Sequence, residues 1–173
     1  MKKFLIAVIM LFGLKAAQAQ VSKATLTASG LTCSMCSKAI YTALLKVNTI
    51  ESIKANIKES SYDIVFKKDA AVSFDELRSA VEGAGFSVAK LQAIVAFENT
   101  AVKNDAHVTV GGLNLHFLNV PDETLNGEKT LTIVDKNFIP EKEYKKYGQY
   151  TTMKCFTTGI GDAGQRMYHV TIM

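Results

Sequence analysis

Two thiols stand three positions apart in the stretch Gly30-Leu31-Thr32-Cys33-Ser34-Met35-Cys36. When the residues between them form a loop, both sulfurs can turn toward one point, and thiolate is the ligand that selects Cu(I), Zn(II) and similar ions. Cys33 and Cys36 are therefore the candidate metal ligands of this chain. Only two protein thiols are available, so the site is open: a two-coordinate geometry suits Cu(I), whereas Zn(II) usually takes four ligands. A thiol in the first turn of a helix also meets the positive end of the helix dipole and unpaired backbone N–H groups, which favour the thiolate. The same spacing serves a structural disulfide or a redox-active dithiol, and both stand as rival readings.

Other side chains with donor chemistry carry plainer explanations. Met35 offers a third soft donor, yet reads first as an exposed loop residue. Cys155 is the odd cysteine of three and lies between Met153 and Phe156 in a strand-like run, where a buried cysteine behaves as a small hydrophobe; a role beside Cys33 and Cys36 is the alternative. His107, His116 and His169 all fall in expected strands of the second half, where a pair of them, with Met167 or Met173, would make a second copper site. Scattered histidines are more often surface or core residues. Residues 142–150 interleave lysine with Tyr144, Tyr147 and Tyr150, as single-strand nucleic-acid faces do. Eight basic and eight acidic residues cancel over residues 100–173, so a solvated helix is the better reading.

The thiol loop must be held by the elements around it. Ala24, Leu26 and Ala28 alternate with Thr25, Thr27 and Ser29, which is a strand with one buried face. Gly30 ends it, and beyond the loop Ala39, Ile40, Ala43, Leu44 and Val47 recur at helical spacing. Ile53, Ala55 and Ile57 mark a second strand, and Tyr62, Ile64 and Phe66 a third. Ser73 followed by Glu76 is a capping-box start, with Phe74, Leu77, Ala80, Val81 and Ala84 as the apolar face and Gly83 or Gly85 as the stop. A fourth strand runs on to Phe97. Strand, helix, strand, strand, helix, strand is the ferredoxin-like βαββαβ order of an α+β domain, here over residues 21–98.

Residues 99–105 turn polar and read as a linker to a small, mainly β second domain over residues 106–173. A hairpin across Gly111-Gly112, a strand at 130–134, a short helix at 141–147 and strands at 152–157 and 168–172 follow. Five strands with a helix between the third and fourth is the element order of an OB-like five-stranded barrel.

At this point the residues carry a family likeness. Gly30 to Cys36, set between a first strand and a first helix, resembles the metal-binding loop of heavy-metal-associated domains, usually Gly-Met-Thr-Cys-x-x-Cys, and the likeness spans residues 21–98. Gly83-Ala84-Gly85-Phe86 is similar to the Ala-Gly-Tyr turn after that family's second helix. Leu31 replaces the usual methionine and Phe86 the frequent tyrosine; neither position supplies a ligand. The resemblance implies copper-chaperone-like or mercury-binding-protein-like capture of a soft ion through Cys33 and Cys36. Cu(I) comes first, with Hg(II) and Zn(II) as alternatives, and the ion passes to or from a metal-transporting or metal-receiving partner with a cysteine site. A thioredoxin-like oxidoreductase is the competing class. The chain has no tryptophan, its motif has no proline, and its element order differs, so a non-enzyme is expected. A third class treats the second half as the interaction module of a metal-dependent assembly.

The chain opens with Lys2 and Lys3, an apolar run over residues 4–14, and small residues ending in Ala17-Gln18-Ala19. This is a secretory signal peptide over residues 1–19. The apolar run falls short of the roughly 20 residues a membrane span needs. The expected mature protein is exported without a stable membrane anchor, to the periplasm of a cell with two membranes and otherwise to the exterior. The formal charge of +4 includes Lys2, Lys3 and Lys15, and without them seventeen basic residues face sixteen acidic ones. So balanced a chain has no basic field for nucleic acid.

Overall fold

The computed structural model describes residues 21–31 and 34–172. The expected signal peptide, Cys33 and Met173 lie outside them. The elements run β1 (Val21–Ser29), α1 (Ser34–Leu44), β2 (Ile50–Asn56), β3 (Ser61–Phe66), α2 (Phe74–Gly83) and β4 (Ser87–Val102). Then come β5 (Ala106–Val110), β6 (Leu113–Phe117), β7 (Glu123–Ile133), α3 (Glu141–Tyr147), α4 (Cys155–Thr158) and β8 (Met167–Ile172).

The first six elements take the ferredoxin-like arrangement expected from the sequence. β1 pairs antiparallel with both β3 and β4, and β2 lies outside β3. Ala24, Leu26 and Ala28 are buried as their alternation requires, as are Tyr62, Ile64 and Phe66. Ile40 and Leu44 of α1 and Phe74, Leu77 and Val81 of α2 close the core from the helical side. Each such side chain contributes about 1.5–3 kcal/mol by leaving water. Ser73 is the N-cap residue of α2 but makes no side-chain cap bond; its hydroxyl faces the Tyr168 hydroxyl at 3.4 Å instead.

β4 does not end with this domain. It pairs with β7 from Gln92↔Thr132 to Val102↔Glu123, so all eight strands form one sheet in the order β2-β3-β1-β4-β7-β8-β6-β5. The stretch 99–105, polar enough to read as a linker, holds the end of β4 and the turn into β5. Its polar character has a local cause: the ladder shifts register between Phe97 and Thr100, Asn99 sits at φ +44°, and its N–H donates to Asn126 Oδ1 at 2.9 Å. Asp105, at φ +60°, makes the next turn. Such bulge and turn positions favour asparagine and aspartate.

The second half is β-rich, as expected, but its strands extend this open sheet instead of forming the expected OB-like barrel. The hairpin across Gly111-Gly112 and the helix at Glu141–Tyr147 are present. Residues 152–157, read as a strand, are irregular chain over 152–154 and the first residues of α4 over 155–157, so the apolar character of Met153, Cys155 and Phe156 comes from a cap over the sheet. Leu113, Leu115 and Phe117 of β6 face the main core, while Leu118, Val134, Ile139 and Phe156, with Tyr144 and Tyr147, form a second apolar cluster.

Candidate metal centre

The thiol loop is reached through Gly30, whose φ of +83° is one that L side chains rarely adopt. Leu31 and Phe86 are partly buried against the core, in keeping with packing beneath the loop. Thr32 and Cys33 lie outside the described residues. Helix α1 opens at Ser34, and Met35 points out at 69 % exposure. Cys36, half-buried, occupies the first helical turn, where no acidic side chain offsets the dipole.

The next residue anchors that turn. The Tyr62 hydroxyl, fully buried on β3, donates to the Ser37 carbonyl at 3.1 Å. Its single proton is then committed, so the Ser37 hydroxyl donates back to it at 3.0 Å. Two hydrogen bonds thus tie the start of α1 to the sheet one residue beyond Cys36. The described flanks of the loop are a left-handed glycine on one side and a helix start anchored to a buried tyrosine on the other.

A second cluster of donors lies in the other half. Around the two-residue turn Gly111-Gly112, Val110 pairs with Leu113 and His107 with His116. β6 then pairs in parallel with β8, setting His116 opposite His169. The three histidines form a row across adjacent strands, with ring centroids 4.5 Å apart for His107 and His116 and 4.9 Å for His116 and His169. Side chains alternate across a strand, so the row lies on the face of β6 opposite Leu115 and Phe117. There α4 covers it. Cys155 brings Sγ to 3.5 Å from His107 Nε2 and 3.4 Å from His116 Nδ1. The three donor atoms lie within 4.8 Å of one another, and of their residues His116 is fully buried, Cys155 buried and His107 exposed.

Carboxylates stand behind the two buried imidazoles. Asp105 meets His116 Nε2 at 2.9 Å, and Asp135 accepts from His169 at both the backbone N–H and Nδ1. Burial pulls the His116 imidazole down to about 4 against the opposing pull of Asp105, with neighbouring His169 and His107 adding to the fall. Burial likewise raises the Cys155 thiol.

The Gly-Gly turn already implied that His107 faces His116, since three residues separate each from the turn; that signal was legible and unused. The arrival of His169 and Cys155 required the parallel β6–β8 pairing and the α4 cap. Cys155 is buried, as expected, but within helix α4 beside two imidazoles. Met167 pairs with Asn114 two residues along β6 from His116. Tyr144 stacks on Phe156 at 4.5 Å and donates to its carbonyl at 2.8 Å, and Tyr147 joins the same apolar cluster, so these two tyrosines serve packing, while Tyr150 is exposed.

Comparison with known proteins supports the likeness of the first half. Residues 25–87 match the heavy-metal-associated domain. The copper chaperone CopZ of Bacillus subtilis is 30 % identical over 66 residues, 38 % of this chain and 94 % of the chaperone. CopZ of Staphylococcus epidermidis is 30 % identical over 59 residues, 34 % of this chain and 85 % of that protein. The copper-transporting ATPase RAN1 of Arabidopsis thaliana is 29 % identical over 85 residues, 49 % of this chain, a match that spans 8 % of the ATPase. Through residues 25–87, the chain belongs to the heavy-metal-associated domain family.

Proposed function

We propose that this protein captures Cu(I) between Cys33 and Cys36 and transfers or buffers it by thiolate exchange with a partner carrying its own cysteine site. The reading rests on one observation: Cys36 occupies the dipole-facing first turn of α1 in a domain whose relatives include copper chaperones. An open thiolate pair lets an incoming thiolate bind before a resident one leaves, so the ion never has to be released to water. The protein acts as a carrier without catalytic turnover. The signal-like start at residues 1–19 directs it out of the cytoplasm, where its partner is a metal-transporting or metal-receiving protein. Hg(II) and Zn(II) are weaker candidates for the same donors.

Titration of the reduced full-length chain with Cu(I) against a competing chelator tests the reading. The wild type should hold an equivalent that Cys33→Ser/Cys36→Ser loses. An unchanged stoichiometry and affinity in that double variant would remove the proposal.

A further inference from the structure

We propose that His107 Nε2, His116 Nδ1 and Cys155 Sγ form a second metal site, a thiolate with two imidazoles, independent of Cys33 and Cys36 and suited to Zn(II) or copper.

The sulfur already stands at coordination spacing from each nitrogen. An ion about 2.3 Å from sulfur and about 2.0–2.1 Å from a nitrogen, with a near-tetrahedral angle between them, places sulfur and nitrogen roughly 3.6 Å apart. The two separations here are 3.4 and 3.5 Å. Cys155 needs little movement once its proton has left, while the two nitrogens, within 4.8 Å of each other, settle to the roughly 3.4 Å that a shared tetrahedral ion sets between them. In the metal-free protein the thiol can donate to His116 Nδ1 and accept from a protonated His107 Nε2; loss of both protons turns the same three atoms into ligands facing one point.

The surroundings are those of a ligand set. Asp105 accepts the Nε2 proton of His116, which leaves the Nδ1 lone pair facing Sγ. This is the carboxylate–histidine–metal relay that fixes the tautomer and orientation of a ligating imidazole. Asp135 likewise accepts from His169 Nδ1, and His169 Nε2 is then a buried acceptor with no hydrogen-bond partner among the described residues. Its ring adjoins that of His116, so the row is a polar interior short of one partner, which an ion or its bound water can supply. Phe156 packs edge-on against His169 and closes the row with apolar surface. His107, the exposed donor, also lines a groove of about 560 Å³ with Asp122 and Glu123, which gives a cation an approach.

Asp105, His116 and Cys155 in sequence would also suit an activated nucleophile. Cys155 is only 6 % exposed, however, and a nucleophile has no use for the second imidazole on its sulfur. The ligand types admit zinc and copper alike, and the experiment separates them.

The test uses the full-length Cys33→Ser/Cys36→Ser protein, so loss of the first site cannot be mistaken for loss of the second. Zn(II), Cu(I) and Cu(II) are titrated separately, and Co(II) serves as an optical probe. The expected result is one equivalent of Zn(II) or copper, a thiolate-to-metal charge-transfer band with Co(II) or Cu(II), and protection of Cys155 from iodoacetamide by the bound ion. The preferred ion is the one held against the stronger competitor. Adding Cys155→Ser should abolish the band. His107→Ala, at an exposed position tolerant of truncation, should lower affinity at least tenfold while leaving the unfolding midpoint of the metal-free protein unchanged. Asp105→Asn should lower affinity by about 10–100-fold through loss of orientation. No bound equivalent, a bound ion without the thiolate band, equal alkylation of Cys155 with and without metal, or unchanged affinity in His107→Ala would each overturn the site.

Discussion

Asp75, in the first turn of α2, and Arg166, just before β8, are joined by a two-pronged ion pair: Nε to Oδ2 at 2.7 Å and one terminal nitrogen to Oδ1 at 3.2 Å. Arg166 also reaches Asp135 at 2.8 Å, and Tyr168 donates to Asp75 at 3.2 Å. One guanidinium therefore binds the heavy-metal-associated half to the strand that carries His169.

Burial alone would raise the Asp75 carboxyl, but the hydrogen bond and charge of Arg166, helped by Tyr168 and Arg78, hold it below its ordinary value. A depressed folded-state pKa means that the pair stabilises the fold above the unfolded value of about 4 and that this is lost as pH falls through the lower folded value. Asp75→Asn should cost about 1–2 kcal/mol at neutral pH, between the values for exposed and buried pairs. The gap between wild type and variant should narrow below about pH 4. Urea unfolding across pH checks both; a constant gap through that range would sink the assignment.

Arg166→Met should be the harsher change. It leaves Asp75 to Arg78 and Tyr168 and Asp135 to His169, and removing one member of a buried charge network typically costs about 3–5 kcal/mol. Part of that is discounted because Arg166 and Asp75 are 32 % and 30 % exposed, so about 3 kcal/mol is expected. Equal unfolding midpoints for Arg166→Met and Asp75→Asn would contradict the bridging role.

Tyr62→Phe removes the hydroxyl that ties Ser37 to β3 and should cost about 1–2 kcal/mol. Its distinguishing effect is local. Amide hydrogen exchange in the first turn of α1 should accelerate more than in α2, and Cu(I) should leave for a chelator faster than from wild type.

Met35 projects into solvent at 69 % exposure. Met35→Ala should change stability by no more than about 0.5 kcal/mol and leave the Cu(I) dissociation constant within about threefold, less than 1 kcal/mol. A tenfold loss measured by chelator competition would make Met35 a ligand after all.

β4 contributes its length to both halves. A fragment of residues 99–173 keeps only the last residues of β4 and leaves β7 without most of that partner, and its far-UV circular dichroism should melt without a cooperative transition. A sharp transition in that fragment would show that the second half folds alone.

The ferredoxin-like half was legible because its signals are local: period two in β1, period 3.6 in α1, a glycine with positive φ before the thiols. The N-cap Ser73 was placed correctly, yet its hydroxyl faces Tyr168, a residue 95 positions away that no local pattern announces. The end of β4 was hidden because a bulge needs polar residues and so imitates a linker. Cys155 looked like a strand residue because a cap over a sheet must also be apolar. Its proximity to His107 and His116 depends on chain crossings that periodicity does not encode.

β8 comes late in the chain but sits inside the sheet, between β7 and β6. During synthesis the β5–β6 hairpin is complete long before the strand that joins it to the rest exists. Until residues 167–172 arrive, His107 and His116 belong to an isolated hairpin, and such two-stranded pieces are marginal in water. The second half therefore cannot assemble as it emerges: its histidine row closes only when the last strand slots between neighbours that are already made.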